Sequence, residues 1–181
     1  MADTNRFALA AGAIPTLTWL DGTSEGEKAI EELLEVAMST GAAAINIIPD
    51  RNYTSGVKGE KIDNLYQVVE LAEKLHLPVV VGTEMNSPGQ KFVDNFDSKE
   101  LSALVPTFLK GAHIVYAHSV LQQQCGLGYM SNWAKKNFRS AAEKNEFFRA
   151  LGSSLEPGQE DKLIGLSEDA TVEEIQSELL K

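Results

Sequence analysis

The chain is short of cysteine, of cations and of long apolar runs, and each shortage closes a class of proteins. Its single cysteine, Cys125, excludes an internal disulfide, and that usage fits a reducing compartment, so a cytoplasmic protein is expected. Lys and Arg number 16 against 26 Asp and Glu, a net charge of -10. Nonspecific nucleic-acid binding needs clustered cations, so nucleic acid is not an expected partner. No apolar stretch approaches the roughly 20 residues that span a bilayer, so no membrane association is expected. The opening residues Met1 to Arg6 carry an acid and only a short apolar patch follows, a poor match to a secretory signal. Gly126-Leu127-Gly128 lacks the third glycine of a dinucleotide loop, and neither a phosphate-binding P-loop nor a Gly-x-Ser-x-Gly turn is present.

What is present is an ordinary globular composition, 43% hydrophobic and 23% charged over 181 residues, enough for a useful core. A first strand is expected within Gly12 to Leu20, closed by Asp21-Gly22. Thr23 or Ser24 then caps a helix with Ile30, Leu33, Leu34, Ala37 and Met38 on one face, ending at Gly41. Ala43 to Ile48 reads as a second strand and Asp50 to Gly59 as a polar loop. A helix follows with Ile62, Leu65, Val68, Val69, Ala72 and Leu75 on its apolar face, leading into a third strand at Val79 to Val81. Met85 to Phe96, with Asn86, Gly89, Gln90 and Asp94, reads as a second polar loop. Asp97 or Ser98 caps a helix that Pro106 is expected to kink, and His113 to Ala117 reads as a fourth strand. Beyond it come a helical stretch broken near Gly126 and Gly128, a helix from Ser140 to Leu151, and a terminal helix with a Thr171/Glu174 capping box that ends in Leu179 and Leu180.

This order predicts an α/β fold, a mainly parallel sheet built from about four β/α units. A complete eight-unit barrel takes about 250 residues, so the alternatives are a small open sheet or part of a larger, TIM-like barrel. The barrel-like domain is expected over residues 1–152, with a loop and short helix at 153–181 packing on it.

Parallel strands deliver the residues that follow them to one edge, and three of these stand out. Asp50 follows the second strand, Glu84 the third and His118 the expected fourth. Two carboxylates and an imidazole suit a divalent cation, Zn or Mn. Each also has a structural role open to it: a turn or cap for Asp50, a salt bridge for Glu84, a satisfied buried ring for His118. Arg51 is the candidate for an anionic substrate group, with Asn52 and Asn86 as further substrate contacts. Asp21 belongs to a common Asp-Gly turn. His113 opens its strand at the opposite edge and His76 suits a helix C-terminus, so neither is a candidate. Cys125 has no partner of a nucleophile around it in the sequence.

With these residues in view, the chain resembles the PHP (polymerase and histidinol phosphatase) family of metal-dependent phosphoesterases. Asp50-Arg51-Asn52-Tyr53-Thr54-Ser55-Gly56 is similar to the family's Asp-His pair and polar loop, Gly82-Thr83-Glu84 to its Gly-x-Glu motif, and Ala117-His118 to its Ala-His motif. Asp21-Gly22 is similar to the Asp-Gly after the family's first histidines. The resemblance covers Ile14 to His118. It implies a PHP-type barrel and a phosphoesterase-like hydrolase, with Asp50, Glu84 and His118 on a divalent metal, and Asp50 and Arg51 in catalysis on a small anionic substrate. The family's His-x-His has no counterpart before Asp21, Arg51 stands where the pair has histidine, and the final Asp-x-His is missing. The metal site it implies is therefore a reduced one. An amidohydrolase-like barrel enzyme shares the edge geometry. The non-catalytic alternative is a degenerate barrel that binds a small molecule or a second copy of itself, since unpaired strand edges favour a homo-oligomer.

Overall fold

The computed structural model describes residues 1–53, 59–86, 88–89 and 92–179. The polar-loop residues Thr54 to Lys58, Gln90 of the second loop and Leu180 of the terminal helix lie outside them. The chain forms two compact units: unit 1 holds Met1–Arg6 with Pro15–Leu109, and unit 2 holds Phe7–Ile14 with Lys110–Lys181.

Unit 1 is α/β. α1 (Ala2–Ala10), which no strong pattern in the sequence announces, is divided between the units after Arg6; then come β1 (Thr16–Trp19), α2 (Glu25–Lys28) and α3 (Ile30–Ser39). The expected first helix is thus two pieces, broken at Ala29. Ser24 is the cap: its hydroxyl oxygen accepts from Glu27 N, and the Glu27 carboxylate reaches back to Leu20 N at 2.6 Å, tying the helix start to the end of β1. Next are β2 (Ala44–Ile47), α4 (Pro49–Asn52), α5 (Gly59–Lys74) and β3 (Val79–Val81). The first half of the expected polar loop is therefore a helical turn, begun by Pro49, whose missing N–H costs nothing at that position.

The three strands are parallel in the order β1-β2-β3, with Thr18 opposite Asn46 and Asn46 opposite Val80. Trp19, Ile45, Ile47 and Val79 form one core cluster with Leu34 of α3 and Leu65, Val68, Val69 and Ala72 of α5. Both crossover helices therefore bury against the same face of the sheet. Each fully buried aliphatic side chain there is worth about 1.5–3 kcal/mol relative to exposure. The opposite face is different: Thr16 and Thr18 are exposed, and Asn46 and Val80 are half-buried.

The expected fourth strand is absent. His113 to Ala117 lies inside α6 (Val105–Cys125), a 21-residue helix. Phe108, Gly111, Ile114, Ala117, His118 and Leu121 are all buried, a stripe at 3–4 spacing that continues through the apolar run. The run was strand-like because Ile114-Val115-Tyr116-Ala117 is apolar on every side, which hides the helical period. Pro106 does not kink this helix. It is the second residue, where no intrahelical N–H is needed, so it starts the helix.

Unit 2 continues with α7 (Asn132–Asn137), α8 (Ala141–Ser154), a 3₁₀ turn at Glu160–Leu163 and α9 (Val172–Leu179). Ser131 and Ser140 cap α7 and α8 through their hydroxyls. The Thr171/Glu174 capping box forms as expected, with both reciprocal bonds present. Tyr129, Trp133, Phe138, Phe147 and Phe148 pack edge-on or tilted, 5.1–6.3 Å between ring centres. No helix among the described residues is long and apolar enough to cross a membrane.

Gly152 is where α8 meets α6. A Cβ built there would press on the His113 carbonyl oxygen and lie 2.7 Å from its carbon, and the obstacle is backbone. Gly152→Ala is therefore expected to lower unfolding stability by about 1–3 kcal/mol in denaturant titration, whereas alanine on an exposed helix surface is benign.

Candidate functional site

Parallel register sends the residues after β1, β2 and β3 to one edge of unit 1, and a polar cluster forms there. Asp21 follows β1. Its carboxylate accepts from Thr23 N at 3.1 Å, from the Thr23 hydroxyl at 2.5 Å and from Lys61 Nζ at 2.6 Å. Burial pushes the Asp21 carboxyl up, but the Lys61 and Thr23 bonds outweigh it and hold it below the usual range. Asn64 of α5 donates to the Asp21 carbonyl at 3.2 Å. The Asp-Gly turn is thus locked to α5 by an ion pair and an amide, an arrangement for which the sequence offered only the turn.

Arg51 and Glu84 meet across the ends of β2 and β3. Arg51 Nη1 donates to both Glu84 oxygens, at 3.0 and 3.2 Å, and Asn86 Nδ2 adds a third bond to Oε1 at 3.1 Å. Arg51 is on α4, so the helical turn after β2 aims its side chain across the sheet edge. Its side chain is 35% exposed and that of Glu84 23%, so the pair lies at the surface of the edge and not in the core. Among the described residues, Arg51 Nε and Nη2 bond to nothing in the protein. Glu84 therefore steadies one nitrogen of the guanidinium and leaves a two-nitrogen fork for something else.

Asn52 is fully buried and structural in its amide nitrogen, which donates to Leu20 O at 2.8 Å and Ile48 O at 3.1 Å. It clamps the ends of β1 and β2 together. Among the described residues, its buried Oδ1 has no hydrogen-bond partner, nor has Trp19 Nε1 at the end of β1. Asp50 sits half-buried on α4 beside Arg51.

His118 is placed differently from the expectation. It belongs to unit 2 and lies in the middle of α6, at no strand end. Its Nδ1 accepts from Tyr129 N at 3.0 Å, and the ring also hydrogen-bonds the Gly12 backbone. Gly128 permits this approach: a Cβ there would stand 2.7 Å from His118 Nδ1. The imidazole is therefore engaged as a structural group. His113 shares that helix, and His76 ends α5 with φ 54°, the left-handed residue of a helix C-terminus. Cys125 is half-buried and bonds Leu121 O at 3.3 Å, and burial pushes its thiol up, away from thiolate.

No family model, curated protein or solved structure matches the chain.

The geometry of the site does not fit the expected metal. Among the described residues, no group of three or more His, Cys, Asp or Glu side chains is arranged to hold one. Both Glu84 oxygens face a guanidinium whose charge opposes a cation, and His118 Nδ1 is taken by Tyr129 N within unit 2.

The His118 geometry has a pH consequence. Burial depresses its pKa below the ordinary 6.5, while the Gly12 bond opposes this weakly. As pH falls, the unfolded chain takes up the proton before the folded one. The stability from neutral His118 is thus full above about pH 6.5 and lost progressively below it. Protonation also destroys the acceptor that Tyr129 N uses. Thermal unfolding followed from pH 7.5 to about 5 is expected to show a falling midpoint. In His118→Asn, which keeps an acceptor toward Tyr129 and cannot titrate, the midpoint should fall clearly less.

Proposed function

We propose that unit 1 is a sector of a (β/α) barrel that binds a small anionic ligand at the carboxyl edge of its sheet, with Arg51 as the recognition group. One observation carries this reading: Glu84 holds the Arg51 guanidinium at the meeting of two strand ends and leaves Nε and Nη2 without a protein partner among the described residues. A planar fork of two N–H donors matches a carboxylate or phosphate with two parallel hydrogen bonds. Lys61 adds positive charge at the same edge, though its ammonium is committed to Asp21.

The barrel reading is supported by the winding of the sheet. Sequential order β1-β2-β3 with both crossover helices on one face is single winding, as in barrels, whereas doubly wound sheets reverse direction and cover both faces. In this reading the face with Thr16, Thr18, Asn46 and the buried Ala44 would line the barrel interior. Among the described residues β1 and β3 are the edges of this sheet, and sheet edges favour completion by a second copy of the chain.

Three measurements test these statements. Titration with a small dicarboxylate or a phosphate monoester should show saturable binding that Arg51→Ala abolishes and Glu84→Gln weakens about tenfold, because the guanidinium loses its orienting partner. Binding that survives Arg51→Ala overturns the reading. Stoichiometric Zn or Mn by elemental analysis, lost on Glu84→Ala, would instead favour the metal-dependent hydrolase. A mass in solution equal to one chain at all concentrations would overturn the completion by a second copy.

A further inference from the structure

Unit 2 contains a cavity of about 540 Å³, within the range of small-molecule sites, lined by Leu9, Gln122, Met130, Ser131, Asn132 and Lys135 among others. Three of its polar side chains are uncommitted among the described residues. The amides of Gln122 and Asn132 and the Lys135 ammonium make no hydrogen bond or ion pair to the described residues, whereas Ser131 caps α7. Gln122 is held in place by close backbone on two sides: a Cβ on Gly128 would lie 3.0 Å from its own Cβ, and one on Gly12 3.3 Å from its Nε2. The local charge is positive in an acidic protein. Between Ser131 and Lys144 stand Lys135, Lys136, Arg139 and Lys144 against one carboxylate, Glu143, in a chain of net charge -10. Glu143 accepts from the backbone at Arg139 N and Ser140 caps the same turn, so that carboxylate serves the start of α8. Lys144 lies 3.8 Å from the centre of the Tyr129 ring and feels the charge of Lys135. An adjoining hollow of about 360 Å³ shares Gly126, Ser131 and Asn132 but carries Glu168 and Asp169, so its charge is mixed.

We propose that the larger cavity is a second ligand site, for a small anion bearing hydrogen-bonding groups: a phosphorylated or carboxylated metabolite. Lys135 supplies the counter-charge, and Gln122 and Asn132 offer amide donors and acceptors to the body of the ligand. The site is independent of the Arg51 edge in unit 1, because every residue that lines it belongs to unit 2.

The probes are inorganic phosphate and citrate, each titrated into the full chain and followed by two-dimensional ¹H–¹⁵N NMR. Saturable shifts of the Gly126, Asn132 and Lys135 amides are expected, with a Kd of about 1 mM or tighter. Lys135→Gln, a change on the exposed surface, should weaken binding about tenfold, and Arg51→Ala should leave these shifts untouched. Saturation by phosphate alone assigns a phosphorylated ligand and saturation by citrate alone a carboxylated one. Failure of both to saturate, or unchanged affinity in Lys135→Gln, overturns the proposal whatever happens at Arg51.

Discussion

Burial of one face of three parallel strands under two crossover helices is the constraint on which unit 1 depends. Trp19, Ile45, Ile47 and Val79 lose their water only if Leu34 and the apolar face of α5 lie over the same side of the sheet. Because side chains alternate along a strand, that demand sends Thr16, Thr18 and Asn46 to the other face. Because the strands are parallel, it also delivers Asp21, Arg51 and Glu84 to one edge. The polar edge is thus a consequence of the core. A slip of one residue in register would bury the threonines and dissolve both features.

At that edge the chemistry is set by who neutralises whom. Of the strand-end carboxylates, Glu84, a candidate metal ligand, is paired with Arg51, and Asp21, of the Asp-Gly turn, with Lys61. The two pairs differ in use. Lys61 and Thr23 surround Asp21 and leave it an anchor for the turn, whereas Glu84 occupies a single nitrogen of Arg51 and leaves the rest of the guanidinium outward. A partly exposed pair of this kind adds little to stability. What the pair does fix is the orientation of the Arg51 guanidinium.

Unit 2 is organised around aromatic packing and a buried histidine. Tyr129 joins these features: its ring packs on Phe148, its amide donates to His118, and Lys144 lies over its face. His118 therefore ties the loop after α6 to the middle of that helix, so that loop and helix depend on a neutral imidazole. The same glycine that admits His118 admits Gln122, so the cavity wall and the structural histidine share one backbone requirement.

The sequence by itself determined the elements whose signals are local. Ser24, Ser140 and the Thr171/Glu174 pair announce their helices through hydrogen bonds that close within four residues, and β1 to β3 and α5 show clear apolar runs or periods. It also placed Arg51, Asp50 and Glu84 near strand ends. Only the tertiary structure decided the rest. His113 to Ala117 is apolar all round, and whether such a run is strand or helix depends on what covers it, here the neighbours of a long helical stripe. His118 consequently left the set of strand-end residues. The identity of Glu84's partner was likewise invisible, because 33 residues separate it from Arg51 and only strand register brings them together. Spacing along the chain encodes period and capping; distance across a sheet edge exists only once the sheet has formed.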